Sequence, residues 1–414
     1  MTRFVSLFAI TAVLCGPALA QTSGEGTARG ETAETSLPKA PDQEPVFENQ
    51  TRTPLPAEKT AVETETIAED LSNLWSMEFL SDGAMLVTAK EGDMMIVSSE
   101  GEVGAPIEGV PEVMSQGQGG LLDVALAPDF DETGMIYFSF SEPREDGGNG
   151  TSVARARLET DGSGTGTLQD LEIIFRQTPA YDGDMHFGSR LVFGPDDHLF
   201  VTVGERSDTP IRDQAQDLTS GLGKIFRINP DGSAPEGNPF ARHAAIQPEI
   251  WSYGHRNIQA ATLDPEGRLW TVEHGPMGGD ELNRPEAGLN YGWPAITYGL
   301  DYGGAPIGLG LTAMEGMEQP VYYWDPVIAP SGMAFYQGEE FPAWDGAVLI
   351  GGLVSESLVV LHLEEGRVTS EERIPLGARV QDVKVGPDGA VYAITEADNN
   401  SSSAIMRVTS QAGG

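Results

Sequence analysis

A tight turn followed by a short run of alternating apolar residues occurs six times in this 414-residue chain. Each turn contains Pro, Asp or Gly, which favour tight turns, and each run contains the β-branched, aromatic and other apolar residues of a strand. The six turns are Ser81-Asp82-Gly83, Ala127-Pro128-Asp129, Gly194-Pro195-Asp196-Asp197, Asp264-Pro265-Glu266-Gly267, Trp344-Asp345-Gly346 and Gly386-Pro387-Asp388-Gly389.

The repetition predicts the fold. Further strand candidates lie between the six copies, and no stretch shows a long helical period. Several short strands in each of six copies predict an all-β chain, a six-bladed β-propeller with four-stranded blades over residues 61–409. An irregular β-sandwich or two all-β domains are the alternatives. In a propeller we expect these turns to lie around a central channel with a ligand beside them, and Ile67–Leu71 to complete the last blade.

The first twenty residues have the pattern of a secretory signal peptide. Arg3 precedes the apolar run Phe4–Leu14, and Ala18-Leu19-Ala20 is a small-residue cleavage pattern. The apolar run is far shorter than the roughly 20 residues of a membrane-spanning helix. We therefore expect a periplasmic or secreted protein, cleaved near Ala20, whose single cysteine, Cys15, leaves with the signal peptide.

Two more terminal segments differ from the repeats. Residues 21–60 are rich in Thr, Glu, Pro and Ala and have few large apolar side chains, which predicts a disordered leader. Residues 410–414 are expected to form a frayed tail. No stretch of the mature chain is apolar for long enough to span a bilayer, so no membrane span is expected.

The charge balance narrows the range of partners. The full chain has a formal net charge of −39, and removing Arg3 with the signal peptide leaves 23 − 63 = −40. Nucleic acids and anionic membranes need a basic surface, so neither is an expected partner.

Two motifs precede strand candidates in the first half of the chain. Gly117–Asp123 (GQGGLLD) lets the backbone approach a ligand, and Gln118 can both donate and accept hydrogen bonds. His186 lies before one strand and Glu205 after the next, so pairing of these strands as a hairpin would bring both side chains to one end. A carboxylate beside a histidine fixes its tautomer and raises its basicity, as a general base requires.

Two later segments add charge and irregular backbone. Trp251–Trp293 contains Arg256 and the run EHGPMGGDE, whose carboxylates and carbonyls suit a hard cation such as calcium. His274 has no further His or Cys at zinc-ligand spacing. Strand alternation would place Arg379 and Gln381 on one face, where Arg379 suits an anionic ligand or pairs with a surface acid.

Together these motifs resemble the soluble quinoprotein glucose and aldose sugar dehydrogenases, over roughly Ile67 to Val408. The matching segments, in family order, are GQGGLLD, HFGSRLVFGPD, GKIFRINPDGSAPEGNPF, GHRN, EHGPMGGDE and GLNYGWP. The resemblance implies a six-bladed propeller that oxidises an aldose at C1 to the lactone. It also implies the cofactors pyrroloquinoline quinone (PQQ) and Ca²⁺.

The resemblance also implies roles for individual residues. His186 would be the general base, oriented by Glu205. Arg256 would contact the quinone and stabilise the charge that develops on its oxygen. Further cofactor contacts would come from Gln118, His186, Asn257 and Arg379. The carbonyls of Gly275 and Pro276 would hold the catalytic calcium, and Glu281 with the carbonyl of Tyr291 would hold a structural one.

Three positions depart from the family pattern. Gln381 and Val354 stand where members often have Arg and Lys, which predicts weaker PQQ binding, and Met185 is apolar where the glucose enzymes have an acid. The alternatives are a calcium-dependent propeller lactonase or hydrolase and a non-catalytic propeller that binds a sugar or a protein. The sugar and the external electron acceptor stay open, as does the choice between monomer and homodimer.

Overall fold

The chain forms six antiparallel sheets arranged around one axis, as a computed structural model describes it for residues 30–145, 147–162, 164–209, 211–397 and 402–411. Five sheets have four strands and one has three, with a bridge between Val97 and Val103 beyond its outer strand. The prediction of an all-β six-bladed propeller is confirmed. In the described residues, helix is limited to Phe130–Thr133 and two 3₁₀ segments, Ile211–Gln216 and Pro342–Trp344.

Each blade runs outward from an innermost strand. A first strand, β1 (Val62–Leu71), precedes the blades. Blades 1 to 3 contain β2 Leu74–Phe79, β3 Met85–Ala89, β4 Met94–Val97; β5 Leu121–Leu126, β6 Met135–Pro143, β7 Asn149–Thr160, β8 Gly166–Arg176; and β9 Gly188–Phe193, β10 Leu199–Val203, β11 Lys224–Ile228, β12 Ile250–Tyr253. Blades 4 to 6 contain β13 Ile258–Leu263, β14 Leu269–Glu273, β15 Asp280–Asn283, β16 Tyr322–Trp324; β17 Pro330–Phe335, β18 Val348–Gly352, β19 Ser357–Glu364, β20 Arg367–Pro375; and β21 Arg379–Val385, β22 Val391–Glu396, β23 Ser403–Ser410.

The ring is closed by the two ends of the propeller chain. β1 pairs antiparallel with β23, from Val62 opposite Ser410 to Leu71 opposite Ser403. This confirms that Ile67–Leu71 completes the last blade. The six innermost strands contact one another in the cyclic order β2, β5, β9, β13, β17, β21 and back to β2.

Apolar side chains pack between neighbouring blades. Leu86 of blade 1 and Phe138 of blade 2 are fully buried in one cluster, and Trp270 of blade 4 packs with Ile350 of blade 5 in another. Each such side chain contributes about 1.5–3 kcal/mol when fully buried. Because every blade supplies one wall of two such clusters, no blade buries its apolar surface alone.

Arg190 ties the innermost strands together near the axis. Its guanidinium donates to Asp123 Oδ1 at 2.9 Å, to Asp382 Oδ1 at 2.8 Å and to the Gln259 carbonyl at 2.7 Å. It also lies 4.3 Å from the ring centre of Trp75. All the charged groups are buried, and they come from β9, β5 and β21, so a single cation links blades 2, 3 and 6.

Residues 30–60 pack against the propeller, which differs from the expected disordered leader. The amides of Lys39 and Ala40 both donate to the carboxylate of Asp325 at 2.8 Å, and the buried Gln50 donates to the Pro320 carbonyl. The segment is held mainly by polar and backbone contacts. For this reason it is ordered even though it has few large apolar residues, the feature from which disorder was predicted.

The other terminal predictions are only partly within the described residues. The signal peptide at 1–20 and residues 21–29 lie outside them. At the other end, Ser410 pairs with Val62 and the Gln411 amide donates to Ala61, so the strand extends into the expected tail. Within the described residues, the chain contains no helix long and apolar enough to cross a membrane.

Candidate active site

The candidate site lies at the end of the propeller where the innermost strands begin. A cavity of about 310 Å³ opens there. Its lining includes Trp75, Lys90, Gln118, Phe187, Gly188, Gln259, His274, Val354, Arg379, Gln381 and Glu396. The six repeated turns join each innermost strand to the second strand at the opposite end. The prediction that these turns surround the ligand is therefore wrong. The turns lie where the innermost strands end, whereas the cavity lies where those strands begin.

His186 and Glu205 form a buried pair. β9 and β10 are antiparallel, with Gly188 opposite Val203, so the residues two positions before β9 and two positions after β10 meet. His186 Nδ1 lies 3.0 Å from Glu205 Oε1, and both side chains are almost completely buried. The hairpin prediction for these two residues is confirmed, and their spacing suits a carboxylate that orients an imidazole.

The backbone around His186 is held tightly. His186 has a φ of +52°, and its amide donates to Gln118 Oε1 at 2.8 Å. Gly204 packs so close that an added Cβ would overlap the His186 carbonyl oxygen. Gln118 and Gly204 therefore fix the position of the histidine from two neighbouring blades.

Arg206 holds the loop that precedes His186 through hydrogen bonds to its backbone. The sequence analysis did not identify this residue. This buried side chain donates to the carbonyls of Met185 at 2.9 Å and Gly183 at 2.5 Å, and to Asn149 Oδ1 at 2.7 Å. Its guanidinium also lies 4.0 Å from the ring centre of Phe187. Burial lowers the pKa of Arg206 to about 10, which still leaves it charged at neutral pH.

The surroundings favour neutral His186. Burial lowers the pKa of its imidazole below the usual value, and the positive charge of Arg256 lowers it further. The hydrogen bond and negative charge of Glu205 act in the opposite direction. A neutral imidazole with Nδ1 directed at Glu205 leaves Nε2 to accept a proton.

Arg256 and Asn257 bring unused donors to the site. Arg256 Nη1 donates to the carbonyls of His274 at 2.8 Å and Gly275 at 2.9 Å, while its Nε lies 4.0 Å from Glu205 Oε1. Among the described residues, the buried Arg256 Nε and Asn257 Nδ2 have no hydrogen-bond partner. Buried donors without partners are costly, so these two fit an acceptor-rich ligand such as a quinone carboxylate.

A second histidine–carboxylate pair holds Arg256 in place. Glu273 accepts the Arg256 amide at 2.6 Å and contacts His255 Nδ1 at 3.1 Å. The His255 ring stacks on Tyr291, with ring centres 4.8 Å apart. Neither His255 nor Glu273 was predicted as a site residue, although His255 lies before β13 and Glu273 ends β14, the same hairpin relation as His186 and Glu205.

The loop after β14 is rich in backbone carbonyls. Asp280 accepts the amides of Gly275, Ile328 and Ala329 at 2.7–2.8 Å, and burial raises its pKa to about 7 against those bonds. The Pro276 carbonyl accepts no hydrogen bond from the described residues, whereas the Gly275 carbonyl faces Arg256. The donor set fits a hard cation held by carbonyls, with Gly275 shared between that cation and the guanidinium.

Glu281 follows Asp280 directly, as the second residue of β15. Burial and the nearby charge of Glu273 raise its pKa well above the usual value, and Asn283 Nδ2 donates to both carboxylates. Two carboxylates that share a single donor fit a cation. The Tyr291 ring stacks on His255, which contacts Glu273. The Tyr291 carbonyl accepts no hydrogen bond from the described residues.

No cluster of three or more His, Cys, Asp or Glu side chains suited to a metal ion occurs among the residues that the structure describes. His274 is half-buried at the cavity wall, and its Nε2 donates to the Pro330 carbonyl at 2.8 Å. Burial, with the charge of Arg256, lowers its pKa to about 3. A metal at this end would therefore depend on backbone carbonyls, which is not the carboxylate-rich set that a calcium-dependent hydrolase needs.

Two of the residues that depart from the family pattern, Val354 and Gln381, line the cavity. Arg379 and Gln381 both line it, as strand alternation predicted, and the exposed Val354 lies at its edge. Arg379 Nε lies 3.3 Å from Glu396 Oε2, so its charge is partly neutralised within the site. Lys90 also lines the cavity, and sequence reasoning missed it because it follows an unremarkable strand.

The chain is similar to known sugar dehydrogenases along most of its length. The family model for glucose/sorbosone dehydrogenase matches residues 71–407. Aldose sugar dehydrogenase YliI of Escherichia coli is 40% identical over 359 residues, which cover 85% of this chain and 94% of that protein.

Solved structures agree in fold. The crystal structure of the soluble aldose sugar dehydrogenase from Escherichia coli in its apo-form superimposes with a TM-score of 0.79 at 40% identity, covering 85% of this chain and 100% of that one. The PQQ-bound form of aldose sugar dehydrogenase from Streptomyces coelicolor gives a TM-score of 0.70 at 29% identity, covering 86% and 99%.

Proposed function

The chain belongs to the glucose/sorbosone dehydrogenase family, and from that premise we propose that it is a quinoprotein that oxidises an aldose sugar at C1 to the lactone. His186 is the proposed general base, and the proposed cofactors are PQQ and Ca²⁺. The observation that carries this proposal is the buried His186–Glu205 pair beside two buried donors, on Arg256 and Asn257, that have no partner.

The proton step follows from the geometry of His186. Its neutral Nε2 takes the proton of the anomeric hydroxyl, while Nδ1–H donates to Glu205. Glu205 stabilises the imidazolium that forms, because opposite charges attract strongly in a buried site. Gln118 accepts the His186 amide and so holds the backbone of the histidine, while Glu205 holds its ring.

The remaining residues bind and orient. Arg256, Asn257, Gln118 and Arg379 would hold the polar edges of PQQ, and the carbonyls of Gly275 and Pro276 would hold Ca²⁺. When bound, PQQ would supply the acceptor for the hydride from C1, and calcium would supply a Lewis acid. Glu281 and the Tyr291 carbonyl are the proposed ligands of a second, structural calcium.

Reconstitution tests the proposal. The purified protein is mixed with PQQ and CaCl₂, and dye reduction is followed with a panel of aldoses, which also identifies the preferred sugar. We expect dye reduction that depends on PQQ and aldose. No reduction and no change in quinone absorbance would refute the dehydrogenase and leave a non-catalytic binding propeller.

Substitution of the base tests its role. His186→Ala should abolish turnover and leave PQQ binding intact. His198→Ala is the matched control, because His198 also contacts a carboxylate, Asp196 at 3.0 Å, but lies in the turn between β9 and β10 at the opposite end of the propeller. Turnover retained by His186→Ala would remove it as the base.

Export to the periplasm or the medium is part of the proposal. It rests on the signal-peptide pattern of residues 1–20. N-terminal sequencing of protein recovered from the periplasm should begin at Gln21.

A further inference from the structure

Lys90 is placed at the cavity by the chain around it. It directly follows β3, its amide donates to the Asn73 carbonyl at 2.9 Å, and its carbonyl accepts the Leu121 amide at 3.2 Å. Its Nζ donates to the Gly117 carbonyl at 2.9 Å. The side chain thus lies across the first residues of the loop that carries Gln118, on the wall between blades 1 and 2.

The charges of the cavity are unevenly compensated. Lys90, Arg379 and Glu396 are its charged lining residues, and Arg379 pairs with Glu396 at 3.3 Å. Among the described residues, no carboxylate lies within ion-pair distance of Lys90, and its one hydrogen bond uses one of three ammonium donors. Lys90 therefore gives the cavity an uncompensated positive charge with two free donors.

We propose that Lys90 binds a carboxylate of the anionic cofactor, and so supplies the cation that the uncharged Val354 and Gln381 do not provide. This inference rests on the proposed function, because it takes PQQ, a tricarboxylate, as the ligand. The whole mature chain is strongly acidic, so an anionic ligand needs a local positive charge to enter. The carboxylate meets the free donors of Nζ while the Gly117 bond is retained.

Binding measurements test the inference without turnover. PQQ is titrated into the calcium-loaded protein, and the dissociation constant is followed by quinone absorbance. Lys90→Met should raise the dissociation constant roughly tenfold, the loss expected for one charge-assisted hydrogen bond at a partly exposed site. Lys90→Arg, which retains the charge, should stay within about threefold of the unaltered protein.

Two controls separate charge from structure. Lys59→Met removes an exposed lysine outside the cavity and should leave the dissociation constant unchanged. The trimethyl ester of PQQ lacks the negative charges, so Lys90→Met should bind it as well as the unaltered protein does. The affinity of the unaltered protein for PQQ should also fall more steeply with added salt than that of Lys90→Met.

The outcomes distinguish this inference from the proposed function. No PQQ binding by the unaltered protein would overturn both. Binding by the unaltered protein with less than a twofold change in Lys90→Met would overturn the role of Lys90 alone. Equal weakening of PQQ and of its ester would also overturn it, because the lysine would then act only by holding the Gly117 loop.

Discussion

Replacing Glu205 by Gln tests the catalytic geometry most directly. Glu205 is fully buried, contacts His186 Nδ1 through Oε1, and accepts the Ser207 amide through Oε2. A glutamine amide has one acceptor and one donor end. If its oxygen faces His186, its NH₂ faces the Ser207 N–H; if it flips, its NH₂ favours the tautomer with hydrogen on Nε2, which cannot accept a proton.

The magnitude follows from the lost charge. Unit charges 4 Å apart interact by about 1 kcal/mol in water and about 4 kcal/mol at an effective dielectric constant near 20. His186 and Glu205 are buried and 3.0 Å apart, so the loss belongs to the upper part of this range. At about 1.4 kcal/mol per factor of ten, kcat should fall roughly 10²- to 10³-fold.

The pH dependence adds a sign. Burial and Arg256 already lower the pKa of His186, and Glu205 opposes them. Without the carboxylate charge the pKa falls further, so the imidazole stays neutral to lower pH. The acid limb of the kcat profile in Glu205→Gln should therefore move to lower pH while its plateau drops.

The assay is dye reduction at saturating aldose with PQQ and calcium, from about pH 4 to 9, with PQQ affinity measured separately. Asp196→Asn is the matched control, because it alters a solvent-exposed histidine–carboxylate contact and should leave kcat unchanged. A kcat within threefold of the unaltered protein, or an acid limb that moves to higher pH, would refute the reasoning.

Three further predictions concern the scaffold and the cavity. Arg190→Met leaves the buried Asp123 and Asp382 without their shared cation, so urea denaturation should show a loss of about 3–5 kcal/mol in the free energy of unfolding; a loss below about 1 kcal/mol would contradict it. Val354→Lys adds a cation at the exposed cavity edge and should tighten PQQ binding up to about fivefold in low salt, as surface ion pairs contribute about 0.2–1 kcal/mol; unchanged affinity in a PQQ titration would count against this. Asp325→Ala removes the acceptor of two amides from the N-terminal segment, so limited proteolysis should cut residues 30–55 faster, and an unchanged cleavage rate would show that the other contacts suffice.

The paired residues show how far local pattern could go. His186 and Glu205 could be brought together in advance, because a short turn makes two consecutive strands run antiparallel side by side and brings their far ends close together. Arg256 and Gln118 could be proposed from motifs in glycine-containing loops. The His255–Glu273 pair has the same hairpin relation and was overlooked. Arg206 and Lys90 could not be proposed, because their side chains contact loops outside their own hairpins.

Two errors have physical causes. The repeated turns were expected to surround the ligand. A turn pattern, however, does not indicate at which end of the propeller the other loops form a cavity. Residues 30–60 were expected to be disordered because they lack large apolar side chains. They are held instead by backbone amides on Asp325 and by Gln50, and polar contacts of this kind depend on a partner that the sequence cannot locate.

By itself, the sequence determined the number of blades, the closing strand and the histidine–carboxylate pair. The blade number and the histidine–carboxylate pair depend on local periodicity, turn chemistry and adjacent strands, which act over short stretches of chain. The closing strand follows from the fold, because a closed ring of blades brings the first strand beside the last one. The tertiary structure alone decided which end of the ring holds the cavity, that Arg379 is partly neutralised by Glu396, and that Lys90 is not. A charged side chain is neutralised only when an opposite charge lies within a few ångströms. Which groups come that close is decided when the blades assemble into a closed ring.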